Sequence, residues 1–175
     1  MNKLPLLLAA ALLGAGGQDE MVDNPEYASW ARQKPKAWVR WKVETHTGAM
    51  RVETDLTWTL QKLTADQAII EEKTVLNGEK TEHTTSRTLA PKIRKGTMSD
   101  GTKVDVINQG EEEITIKGRP IKCKWIEMKF TGRAGSIKSW TTDEVVGGAA
   151  KMLIKHDVAG KLTMTMTVTD WKSAD

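Results

Sequence analysis

The sequence predicts a mainly β protein: a long-stranded, curved antiparallel meander of about nine strands, half-barrel or barrel-like, with one short N-terminal α-helix. Three observations carry this reading. Two segments, GAMRVETDLTWTLQ (Gly48–Gln61) and KLTMTMTVTDWK (Lys161–Lys172), alternate apolar and polar residues over most of their length. Turn-forming residues punctuate the chain at short intervals. The stretch Ala49–Gln61, fully extended, would run about 40 Å at about 3.3 Å per residue. Strands of that length rarely stay flat, because the intrinsic twist bends them around a core.

The first residues, MNKLPLLLAAALLGAGGQDE, read as an export leader. Lys3 supplies the charge, Leu4–Leu13 the apolar run, and Ala15 and Gly17 the small residues before a cleavage point at Gln18. The run is too short to cross a bilayer and no stop-transfer segment follows it. No cysteine lies at the junction to take a lipid anchor. The expectation is therefore a leader at residues 1–17 and one β-rich domain from Gln18 to Asp175. Its location would be periplasmic or extracellular, with no integral membrane segment after leader removal. The formal charge of +3 falls by one when the leader's single lysine is removed. So near-neutral a chain gives no reason to expect nucleic acid as a partner. Cys123 is the single cysteine, which excludes an intramolecular disulfide and fits a small apolar residue buried on a strand.

The helix is expected over residues 25–34. Asn24 is an N-cap, Pro25 suits the first helical position, Glu26 suits the positive end of the helix dipole, and Pro35 ends the run. Tyr27, Trp30 and Ala31 fall on one face. Beyond it the period changes to two. Lys36–Thr45 points Val39, Trp41 and Val43 inward. Gly48–Gln61 puts Met50, Val52, Leu56, Trp58 and Leu60 on one parity, and Lys161–Lys172 does the same with Leu162, Met164, Met166 and Val168. Weaker patterns predict strands at Gln67–Leu76, Glu79–Leu89, Glu111–Lys117, Ile121–Thr131, Ser136–Thr141 and Ala150–Asp157. Asn77-Gly78, Gly118 with Pro120, Gly132 with Gly135, and Ala159-Gly160 mark reversals between them. Ala90–Gln109 has the least periodicity and reads as a long loop around Ser99-Asp100-Gly101.

Catalytic and metal constellations do not emerge, and the expectation is a protein without enzymatic activity or cofactor. The chain contains no G-x-S-x-G, H-E-x-x-H, P-loop or G-x-G-x-x-G pattern. His46, His83 and His156 have no ligand at metal-binding spacing. Glu111, Glu112 and Glu113 alternate faces on a strand and cannot converge. Tryptophan is over-represented, with seven against one phenylalanine and one tyrosine. Trp41 and Trp58 share their strands' apolar parity and belong inside. Trp38 lies on the opposite face, placed to pack under the helix with Trp30. Trp140 and Trp171 are left as exposed indoles, which keeps a glycan-binding module among the alternatives.

The ligand-binding expectation rests on the inner face itself. Val39, Trp41, Met50, Val52, Leu56, Trp58, Leu60, Leu162, Met164, Met166 and Val168 offer a continuous apolar surface. Its methionines can repack around an irregular ligand. The predicted partner is an apolar small molecule or lipid. The rival reading is a structural or protein-interaction module whose inner face is simply a filled core.

The segments GEEEITIKGRPIKCKWIE (Gly110–Glu127) and KSWTTDEVVGGAAK (Lys138–Lys151), with the closing DWK, resemble a group of exported, poorly characterised bacterial proteins. Their outline is G-E-E-x-x-x-V-x-G-x-x-x-x-C-K followed by W-x-S-x-x-V-P-G-G-x-x-K. The resemblance covers about two-thirds of the mature chain, with an echo in NPEYASW and KAWVRWK. It implies no particular activity. In this chain Thr142 stands for the serine and Val146 for the proline, so Gly147-Gly148 reads as a structural reversal rather than a reactive loop. In architecture the chain is similar to the lipoprotein-carrier (LolA/LppX-like) half-barrels, a likeness that implies an apolar, acyl-type ligand.

Overall fold

The computed structural model describes residues 20–76, 82–156 and 161–174. The leader, the Asn77-Gly78 turn and the Ala159-Gly160 turn lie outside the described residues. The chain runs β1 (Met21–Asp23), α1 (Pro25–Ala31), β2 (Trp38–Thr47), β3 (Met50–Leu63), β4 (Ala68–Leu76) and β5 (Glu82–Leu89). It continues with β6 (Lys92–Arg94), β7 (Val104–Ile116), β8 (Arg119–Phe130), β9 (Ser136–Thr141), β10 (Ala149–His156) and β11 (Leu162–Lys172).

Nine strands form one antiparallel sheet in the order β5-β4-β3-β2-β11-β10-β9-β8-β7, while β1 and β6 pair separately. The sheet is curved but not closed, a half-barrel with β5 and β7 as free edges. Only the β2–β11 pairing breaks the meander: the last strand inserts beside the first long one and welds the two halves of the chain together. Register gives the faces. Trp41 pairs with Leu56 and with Val168, Val39 with Trp58, and Met166 with both Val43 and Met152, so these side chains share the concave side.

The helix packs on that side. Asn24 Oδ1 accepts from the amides of Glu26 and Tyr27, while its Nδ2 donates to Ala90 O. The Tyr27 hydroxyl donates to Thr64 O at 2.7 Å. At seven residues the helix is shorter than expected; the chain turns at Arg32, before Pro35. It spans about 10 Å at about 1.5 Å per residue, so it roofs only part of the long strands beneath it.

Three expectations need correction. The strand expected at Glu111–Lys117 extends back to Val104, because β8 supplies partners along its length, interrupted by a bulge at Ile107. Its side chains are largely exposed, so it shows little apolar alternation. Within the expected loop at Ala90–Gln109, β6 and the buried Met98 are ordered parts of the fold. Trp38 does not lie under the helix: it faces the convex side, where the Arg40 guanidinium stacks on it, while Trp30 is fully buried on the opposite side.

Candidate functional site

The inner-face residues divide into two groups. Val39, Trp41, Leu56, Trp58 and Leu60 from β2 and β3, with Met164, Met166 and Val168 from β11, are buried and join Trp30 of α1 in one hydrophobic core. Met50 and Val52 are not interior as their parity predicts: they are 67% and 43% exposed. The physical reason is the length of the roof. Both residues lie at the end of β3 next to the Thr47–Met50 turn, away from α1, and among the described residues no second layer covers them. Leu162, paired with Thr47 and so aligned with Met50, is half-buried, as is Leu76 at the end of β4. The concave face thus passes from a closed core into an open apolar end.

Where α1 meets the sheet, three charges are taken inside. Arg87 Nη1 lies 2.5 Å from Glu26 Oε1 and its Nε lies 2.6 Å from Glu72 Oε1. Glu26 is only 1% exposed, and Arg87 stacks over the Trp58 ring with its guanidinium carbon 4.6 Å from the ring centre. Burial pushes the Glu72 carboxyl above its ordinary range, with Arg87 pulling against it. Beside this cluster Trp41 and Trp58 touch, centroids 5.2 Å apart and planes tilted by 55°. The indole N–H groups of Trp30, Trp41 and Trp58 have no hydrogen-bond partner among the described residues. Each such buried donor costs about 1–3 kcal/mol, which makes this part of the core unusual.

A second concavity lies on the other flank of α1. It is a pocket of about 750 Å³ between the helix (Pro25, Ala28, Ser29, Arg32) and the β7–β8 hairpin. Sequence reasoning missed it, since its walls come from segments some 80 residues or more apart. Charged side chains border it, over a wall that is otherwise largely apolar: Glu111 stands across the strands from Lys124 and Glu113 from Lys122, and Arg32 reaches Asp143 at 2.7 Å. None of the predicted ligand-binding residues borders it. Cys123 does, with its side chain buried; burial, with help from Glu144 and Glu112, pushes its thiol up to about 11. Alkylation by iodoacetamide at about pH 8 is therefore expected to leave the folded protein unmodified and to proceed only in denaturant. Rapid labelling of the native state would show that the thiol is open to reagent.

The segment Lys138–Lys151 is a structural reversal. Gly147 and Gly148 have φ of 77° and 78°, the Thr142 amide donates to Gly148 O, and Val145 and Val146 are buried beneath it. Gly147 also lies against Trp30, where a Cβ would come within 2.9 Å of the indole. The exposed indole pair expected for glycan recognition is not formed. Trp140 is buried, its N–H donates to Glu112, and Lys138 and Lys151 stack on its ring. Trp171 is half-buried and approached by Lys117 and Arg119. Trp140 is thus not the exposed indole expected from the sequence, because the neighbouring lysine stems cover it.

No family model matches the chain, and no curated protein matches it. Solved structures give three distant likenesses. A DUF1329 family protein from Desulfovibrio piger has a TM-score of 0.34 at 10% identity, over 85% of this chain and 92% of its own. A LolA superfamily protein from Nitrosomonas europaea has 0.32 at 6%, over 88% and 94%. An outer membrane lipoprotein-sorting protein domain from Vibrio parahaemolyticus has 0.34 at 8%, over 86% and 92%. At this level they bear on neither function nor site. Among the described residues no helix is long and apolar enough to cross a membrane.

Proposed function

We propose that this chain is an exported, non-enzymatic binding protein that takes an apolar small molecule or lipid at the open end of its concave face. One observation carries the reading. Met50 and Val52, on the same side of the sheet as the buried core, stand exposed beyond the reach of α1. Leu76 and Leu162 flank them. An isolated exposed leucine needs no explanation, but a run of large apolar side chains continuous with a core is a surface awaiting cover. Covering each fully would contribute about 1.5–3 kcal/mol, enough in sum to hold an acyl chain.

The test is native mass spectrometry of protein isolated without detergent from cells that express it. The expected result is adducts of lipid mass, lost in the Met50→Asp, Val52→Asp double variant while its circular dichroism stays unchanged. A wild-type protein that is lipid-free in repeated preparations, or a double variant that keeps its lipid, overturns the reading.

A second reading, a protein-interaction module, draws on the other edge of the molecule. β5 is an eight-residue edge strand with exposed Glu, His, Thr and Ser side chains and an unbroken register on β4. Neither proline nor bulge protects it, unlike β7 with its bulge at Ile107.

A further inference from the structure

Strand register traces the rim of the open end across the sheet. Val52, Met164 and Ile154 lie in one row over β3, β11 and β10, joined through Thr45 of β2, and Ile137 carries the row on to Met128 of β8. Two residues further along each strand, on the same face, stand Met50, Leu162, His156 and Phe130. This outer row is bare at Met50, half-buried at Leu162 and His156, and covered at Phe130, whose ring stacks on His156 with centroids 5.2 Å apart. A cation stands at the covered end. The guanidinium carbon of the exposed Arg133 lies 4.2 Å from the centre of the Phe130 ring. Its turn is held in place: the Phe130 amide donates to Gly135 O, and Gly135, at a φ of 136°, sits so close to β10 that a Cβ would run into Lys155 O. Among the described residues no carboxylate pairs with Arg133. The acids nearest in register, Glu44, Glu53 and Asp105, take the other parity, and Arg51 and Lys42 already hold the two glutamates.

We infer that the ligand is an anionic amphiphile whose carboxylate or phosphate head is received by Arg133 at the Phe130 end of the rim, an inference that rests on the apolar-ligand reading above. A guanidinium offers paired N–H donors that match either oxyanion. A neutral head leaves that cation without a counter-charge, and a quaternary ammonium is repelled by it. The span of the rim agrees. From Met50 on β3 to His156 on β10 are three strand spacings, about 14 Å in all, with Phe130 and Arg133 beyond. A long acyl chain laid along this row covers Met50 and Leu162 before its head reaches the guanidinium.

Four radiolabelled probes of equal chain length test the head group: hexadecanoate, hexadecyl phosphate, hexadecanol and hexadecyltrimethylammonium. Each is delivered from cyclodextrin and counted on the full protein at about pH 8, where both acids are ionised. At least one anion is expected to bind about fivefold tighter than the alcohol, the scale open to a charge-assisted contact at an exposed site. The tighter of the two identifies the oxyanion, and the ammonium should bind weakest. Arg133→Met keeps an apolar stem over Phe130 and removes the charge. In that variant the advantage of the anion over the alcohol should vanish while binding of the alcohol itself is unchanged, and in the wild type added salt should narrow the same advantage. Anions no tighter than the alcohol, a tighter ammonium, or an advantage untouched in Arg133→Met overturns the anionic head while leaving an apolar ligand standing. Failure of all four probes to bind removes both.

Discussion

Arg87→Ala is expected to destabilise the protein by about 3–5 kcal/mol, the range for removing one partner of a buried charged pair. The cost comes from what is left behind. Glu26, fully inside, and the half-buried Glu72 would face each other with no cation between them. Replacement would also strip the guanidinium from the face of Trp58. The sign of the pH dependence follows from Glu72. Its carboxyl already titrates above the ordinary range because burial disfavours the anion, and Arg87 is the main force opposing that shift. Without Arg87 the carboxyl rises further. A carboxyl whose folded pKa exceeds its unfolded value makes stability fall as pH rises between the two, since the folded state holds the proton longer. The gap between wild type and variant should then be widest at neutral and higher pH and narrow as pH falls through the raised range of the Glu72 carboxyl, above the ordinary glutamate range, as protonation removes the uncompensated charge. Thermal melts across that range provide the measurement. A gap that stays constant with pH would assign the loss to packing over Trp58 instead.

Trp30→Ala is expected to cost a similar amount, about 3–5 kcal/mol for deleting a fully buried aromatic. Trp30 is the residue through which the helix enters the core, and its indole packs against Gly147 of the β9–β10 reversal. Glycine is needed there twice over, for its φ of 77° and because a Cβ would meet the indole. Removing the indole leaves α1 held mainly by the Asn24 cap, the Tyr27 hydroxyl and the Glu26–Arg87 pair. Urea unfolding should therefore show a lower midpoint. Hydrogen exchange should show the amides of residues 26–31 losing protection before those of the β2–β3 ladder. A loss below about 1 kcal/mol, with helix protection intact, would mean that the roof stands without its central beam.

Both predictions turn on contacts that no reading of the chain in one dimension could supply. Glu26 and Arg87 are 61 positions apart in number, and each, taken alone, looks like an ordinary surface charge. Trp30 and Gly147 are further apart still. The same holds for the pocket between α1 and the β7–β8 hairpin and for the cover over Trp140. In each case the deciding neighbour arrives from another part of the chain.

By contrast, the architecture was readable from local pattern. Alternation at β2, β3 and β11 reported which side each side chain takes, because a strand's two faces are set by covalent geometry and a buried face tolerates few polar residues. The N-cap at Asn24 and the paired glycines at Gly147-Gly148 were equally local, and the helix start and the reversal stand where those residues are. Parity, however, gives direction and not depth. It aligned Met50 and Val52 with Trp58 but could not tell that a roof of seven residues stops short of them. Sequence alone thus determined a long-stranded, curved antiparallel sheet and the faces of its most regular strands, while its openness and the insertion of β11 beside β2 came from the tertiary structure. Only the tertiary structure decided which part of the shared face is sealed and which lies bare, because burial depends on what another segment places on top.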